Sequence, residues 1–499
     1  MVYGFMRRSS ALLALSLASL SAVAIAGAQY PGVPKPPADF QKGFDAVKEK
    51  DARDILGYLA GPECQGRGTG QPGFQKAADF IASQFKAAGL KPLGEKGTYF
   101  QFGTFYHAVQ SDVSFTTPEG NKVGASQIEL APLGRDIDLS AEVVVLRGGQ
   151  EDKLTDEQAK QLDGKIVIAL IPAGRSPIRT SLNISDAKAV LSVVDHPTSI
   201  VPRTLTRNTP PSATARVTGQ IGKEALSQIG AQAGAFFAQA QDGASILSLP
   251  KAAHLTAKGS IVEVRVPNVV GMIPGSDPTL KNEYVGIGGH LDHLGVVNGV
   301  VYPGADDDGS GSTSVTLITK AFKASKIKPR RSIVFMTFFG EEMGLLGSKF
   351  LVDHPPVPLD KMVAEFQMDM VGRDSDGVQN GDQSRVDKKE ENVDTIRLVG
   401  SKRISTELDA TIQEMNKYIG FKFKYDAEDV YTRSDHYNFA AKGIPIAFLF
   451  DGFHPDYHQP TDTIEKIDFT KIVSSARLYY MSALTVANRT LPPKKDVAQ

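Results

Sequence analysis

The stretch Tyr284-Val285-Gly286-Ile287-Gly288-Gly289-His290-Leu291-Asp292-His293 starts as an apolar strand and ends on side chains that bind metals. Further apolar runs, at 333–339, 362–368 and 444–450, alternate with stretches of helical pattern such as 314–324 and 345–353. Near-continuous apolar strands alternating with helices predict an α/β fold, a mostly parallel sheet covered by helices on both faces. In such sheets ligands bind beyond the carboxyl ends of the strands. That rule gathers chemistry from distant parts of the chain. His290 follows the run at 284–287, Glu341 and Glu342 follow 333–339, Asp369 closes 362–368, and His458 lies in the loop after 444–450.

Asp306-Asp307-Asp308 adds a compact acidic loop ahead of a helix. Adjacent carboxylates are costly at neutral pH unless a cation neutralises them. A calcium loop does not fit, because its closing glutamate is missing. Imidazoles and carboxylates suit zinc, and two zinc ions about 3.5–4 Å apart clamp the attacking and leaving oxygens of a hydrolysis. Within the first motif His293 competes with His290 as ligand. Asp292 is placed to accept a hydrogen bond from the second ring nitrogen of His290 and fix its tautomer. Of the paired glutamates, one can bind metal while the other moves protons. Tyr457, beside His458, can donate to a developing oxyanion. Together these residues point to a metal-dependent peptide hydrolase.

The balance of 55 basic and 56 acidic residues gives no electrostatic reason to expect nucleic acid as a partner. The single cysteine, Cys64, excludes an intramolecular disulfide and a thiolate zinc site. Arg7 and Arg8, the apolar stretch 11–25 and the small residues Ala26-Gly27-Ala28 read as a secretory signal peptide over 1–28, cleaved after Ala28. The expected mature protein is periplasmic or extracellular, with no stable membrane anchor.

The helical stripe at 74–90, ending on Gly89, belongs to a first peptidase segment over 38–110. Residues 111–258 differ in texture. Short β-rich runs (Val143-Val144-Val145-Leu146 and 166–171) are separated by turn residues, and candidate ligands are absent. This segment reads as a β-rich domain inserted into the first. The second peptidase segment, 259–493, carries the metal site.

With these motifs in place, and with Tyr431-Thr432-Arg433-Ser434-Asp435-His436-Tyr437, the sequence resembles the di-zinc exopeptidase family of secreted bacterial leucyl-type aminopeptidases, related to the glutamate carboxypeptidases. The inserted segment resembles a protease-associated domain. The resemblance implies the zinc-dependent exopeptidase fold and two Zn2+ ions acting on peptide substrates. It implies that His290 and Asp369 hold one zinc, Glu342 and His458 the other, and Asp307 bridges both. Glu341 is then the general base, Tyr457 the oxyanion donor, and a cis peptide joins Asp307 to Asp308. Three rivals stand beside this reading. A carboxypeptidase would need a guanidinium for the substrate carboxylate, with Arg373 and Arg433 as candidates. A non-catalytic binding module would be expected to have lost ligands or the base, and a glutaminyl cyclase would use one zinc.

Overall fold

The computed structural model describes residues 30–171, 176–197, 206–207, 214–238, 243–297, 299–378 and 387–497, so the expected signal peptide lies outside the described residues. A continuous mixed sheet organises the chain. From one edge its strands run Lys422–Lys424, Thr395–Val399, Ile446–Phe450, Met362–Met368, Tyr284–His290, Ser332–Phe338 and Ser245–Ile273. Beyond that long strand follow Ile137–Arg147, Ile166–Leu170, Ala189–Val194, Val217–Gly222 and Ile128–Leu130. Ile446–Phe450, Met362–Met368, Tyr284–His290 and Ser332–Phe338 are mutually parallel, so their carboxyl ends share one edge.

The period of two along a strand explains why these runs are apolar throughout. Ile333 and Phe335 enter one core with Val285, Phe366 and Leu449. Their neighbours Val334, Met336 and Phe338 enter a second core with Ile446 and Phe448. The first core is completed by helices Pro72–Ala88, Gly309–Ala324 and Phe469–Asn488. The second is covered by Leu346–Asp353 and His436–Ala440. Full burial of one such side chain, Phe366 for example, contributes about 1.5–3 kcal/mol. Among the described residues no helix is long and apolar enough to cross a membrane.

The Gly309–Ala324 helix begins five residues before its apolar pattern does. Its first turns, Gly-Ser-Gly-Ser-Thr-Ser, have poor intrinsic propensity. Tertiary contacts override this. Asp308 caps the helix by accepting a hydrogen bond from the Gly311 amide at 2.9 Å. A Cβ on Gly311 would lie 2.3 Å from the Met368 carbonyl, so only glycine lets the helix start lie against that strand end.

The expected limits at 111 and 258 fall inside two long strands, Phe100–Thr116 and Ser245–Ile273, which pair antiparallel along most of their shared length. The pairing thus resumes across these limits, with a register shift between Ser111 and Ser114, while the packing changes. Phe115, Val145, Ile168, Leu191, Ile221 and Leu255 share a core of their own. This region also carries short helices, among them Asp156–Lys160, which opens on a capping box between Thr155 and Gln158.

Candidate metal centre

At the shared edge His290 ends its strand, and the acidic loop, the Glu341-Glu342 turn, Asp369 and the loop carrying His458 close around it. The Asp307–Asp308 peptide is cis. The three aspartates of the loop face different ways. Asp308 spends both oxygens on main-chain amides: Oδ2 accepts from His290, Oδ1 from Gly311 and Met370. Asp306 accepts from the Gly372 amide and lies 3.2 Å from His454 Nε2. Asp307 turns its carboxylate to two other histidines, with Oδ1 3.3 Å from His290 Nε2 and Oδ2 3.1 Å from His458 Nε2.

Two groups of donors result, joined by Asp307. In one, His290 Nε2 lies 3.4 Å from Asp369 Oδ1. In the other, His458 Nε2 lies 3.0 Å from Glu342 Oε2. Ligands of a tetrahedral zinc at about 2.0–2.1 Å stand roughly 3.3 Å from one another, so these spacings fit two tetrahedral sites sharing one carboxylate. Asp308 comes close enough to join the His290 group, but its oxygens are already occupied. His293 joins the His458 group: its Nδ1 is 2.8 Å from Glu342 Oε1 and 3.7 Å from Asp307 Oδ2. The 2.8 Å contact lacks hydrogen-bond geometry, as expected of atoms converging on a shared cation.

Electrostatics support the same reading. Burial alone would lower His290, yet Asp369 and Glu341 raise it well above the ordinary imidazole range. Burial likewise works against a charge on His458, but Asp307 and Glu342 push it up to about 10. The carboxylates thus draw positive charge into a site where desolvated anions need it. Burial, with Asp369 and Glu342 nearby, pushes Glu341 well above the usual carboxylate range. Tyr457 is raised by burial and stays a donor; its ring stacks on His458 with centroids 3.9 Å apart.

The surrounding chain fixes these positions. His290 Nδ1 lies 3.0 Å from the main-chain carbonyl of Asp292 and 3.7 Å from its carboxylate. The tautomer is therefore set chiefly by the carbonyl, not by the side chain that the sequence points to. The Asp292 carboxylate instead accepts from the Glu341 amide at 3.1 Å and from the Thr69 hydroxyl at 2.9 Å, so it positions the turn that carries the glutamates. The Thr69 oxygen in turn accepts from the Gly340 amide. Arg67, wholly buried, donates to the carbonyls of Leu59, Leu291, Pro303 and Gly304, each at 2.8 Å. It ties the histidine motif to the acidic loop. Asp462 accepts from the amides of Asp306 and Asp307. Sequence reasoning overlooks Arg67 and Thr69 and gives Asp462, four residues after His458, no role. The one available signal was the glycine-rich run Gln65-Gly66-Arg67-Gly68-Thr69-Gly70, where a Cβ on Gly66 would lie 2.0 Å from the Tyr302 carbonyl.

Of the two arginines considered for a substrate carboxylate, Arg373 is unsuited. It is buried and paired with Asp456 and Asp462. Arg433 instead lines the recess over the site, together with Asp307, Glu341, Asp369, Phe453 and Tyr457. A second recess lies alongside, but its guanidinium groups are committed, Arg373 as above and Arg397 to Asp387 and Asp426.

Residues 268–483 match the family model described as Peptidase family M28. The matched segment carries all five candidate metal ligands, and the chain is similar to that family there. A probable leucine aminopeptidase of Trichophyton verrucosum is 28% identical to the chain over 234 residues, which is 45% of this chain and 59% of that protein. A probable leucine aminopeptidase 2 of Aspergillus oryzae is 26% identical over 351 residues, 66% of this chain and 60% of that protein. The chain thus spans somewhat more than half the length of these relatives. Among solved structures, the zinc aminopeptidase from Bacillus subtilis superposes with a TM-score of 0.56 at 20% identity, covering 91% of this chain and 97% of the other. The aminopeptidase from Aneurinibacillus sp. strain AM-1 gives 0.53 at 21% identity, covering 92% and 98%. At that identity the likeness concerns the fold, a mixed α/β sheet flanked by helices.

Proposed function

We propose that the protein is a zinc aminopeptidase that removes N-terminal residues from peptides. The observation that carries this reading is the pair of donor groups sharing Asp307. In this reading His290 and Asp369 hold one ion, and Glu342 and His458 hold the other. When bound, two zinc ions would polarise a peptide carbonyl and acidify a water between them. The chain's own residues do the rest. Glu341 takes the proton of the attacking water and returns it to the leaving amine. Tyr457 donates to the oxygen of the tetrahedral intermediate. The fungal relatives' names support the choice of aminopeptidase. So does the charge of the recess, where Glu341, Asp369 and Asp307 favour a protonated α-amine and disfavour a carboxylate. Its apolar lining of Met370, Val430, Phe448 and Phe450 suits a bulky apolar first residue. Export through the signal peptide expected at 1–28 belongs to the same proposal, as does treating 111–258 as a protease-associated insertion.

Purified protein should release nitroaniline from Leu-p-nitroanilide, lose that activity to a chelator and regain it with zinc. N-acetylation of a Leu peptide should abolish its cleavage. Hydrolysis of the acetylated peptide from its carboxyl end would establish a carboxypeptidase instead.

A further inference from the structure

The recess over the metal ligands holds one cation that the hydrolysis does not use. The Arg433 guanidinium sits 4.6 Å above the Phe453 ring. Phe453 packs edge-on against Tyr457 at 4.9 Å, and Tyr457 stacks on His458. Arg433 is thus two rings away from a metal ligand and acts on the Tyr457 hydroxyl through its charge. Among the described residues no carboxylate comes within ion-pair distance of it, although Asp307, Glu341 and Asp369 line the same recess. Stacking on Phe453 holds the planar group in place and leaves its donors available.

Resting on the aminopeptidase reading, we propose that Arg433 binds the α-carboxylate of the residue that follows the scissile bond, which makes dipeptides the preferred substrates. The acidic groups take the α-amine, and Tyr457 marks the position of the scissile carbonyl. Consecutive Cα atoms are about 3.8 Å apart, so a dipeptide's carboxylate lies within one residue of the reacting bond, and Arg433 and Tyr457 both pack on the one ring of Phe453. In a longer peptide that position carries a neutral amide. A planar guanidinium meets a carboxylate through two parallel hydrogen bonds, which an amide cannot reproduce.

The test compares Leu-Leu, Leu-Leu-amide and Leu-Asp-amide on wild type, Arg433→Gln and Arg433→Lys, with Leu-p-nitroanilide as reference. Wild type should prefer Leu-Leu to Leu-Leu-amide by about 10–100-fold in kcat/KM, carried mostly by KM. Arg433→Gln should collapse that ratio towards one, and Arg433→Lys should keep part of it. A merely structural arginine would lower both substrates equally and leave the ratio intact, which would overturn the proposal. So would a wild type indifferent to amidation, or Leu-Asp-amide matching Leu-Leu, which would assign Arg433 to an acidic side chain. Each of these can occur with Leu-p-nitroanilide still cleaved, so the aminopeptidase reading survives them. Failure to cleave Leu-p-nitroanilide breaks that reading and the proposal with it.

Discussion

The region between residues 113 and 257 and the region of the candidate metal ligands differ in what they bury. In the first, the buried side chains among the described residues are almost all apolar, with Thr117 and Ser176 the polar exceptions. In the second, His290, Asp292, His293, Asp306, Asp307, Asp308, Glu365, Asp369 and Asp435 are all withdrawn from water. Burying an ionised group is expensive unless it is paired. A chain that does so repeatedly at one sheet edge is holding a charge-dependent site there. The other region spends its interior on packing alone. The recess beside the site is the poorer candidate, since it is lined by charges already matched to each other.

The contrast makes predictions of graded size. Glu341→Gln keeps the shape of the side chain but cannot take a proton. Turnover of Leu-p-nitroanilide should fall by at least the 10²–10⁴-fold, roughly, that one general base supplies, with zinc content nearly unchanged. If this variant loses zinc while Glu342→Gln keeps it, the two glutamates have exchanged roles. Glu342→Gln should instead lose one zinc preferentially, read by elemental analysis. Thr69→Val removes the hydroxyl that links Asp292 to Gly340, and activity should drop by about 10–100-fold while the fold persists by circular dichroism. Leu191→Ala, in the aliphatic core of the other region, should cost about 2–5 kcal/mol in denaturant unfolding. Below the unfolding transition it should leave zinc content and turnover alone. A loss of zinc there would erase the distinction between the regions.

Much of this was legible in the sequence. The four parallel strands lie where their apolar runs fall, and Met362–Met368 matches its run end for end. The candidate ligands His290, Glu342, Asp369 and His458 could be gathered from the sequence because each ends or follows one of the parallel strands, and those strand ends share an edge. Less legible were contacts with no local signature. Thr69 reaches Asp292 across 223 positions and Arg67 reaches Leu291 across 224, and no periodicity encodes either. The long strands were hidden for another reason. At 17 and 29 residues they far exceed the usual strand of about 3–10 residues, so a change in sequence texture at 111 and 258 reads as a break where the ladder continues. The start of the Gly309–Ala324 helix was hidden by its small polar residues, which serve close packing against Met368.

The central claim is that two ions share Asp307. Its most direct test is the zinc bound per chain, measured by elemental analysis of gently purified wild type and of His458→Ala, with Leu-p-nitroanilide turnover measured on the same samples. The account predicts close to two zinc ions per chain in the wild type and one in His458→Ala, with turnover reduced in the variant. One zinc per chain in a fully active wild type would contradict it.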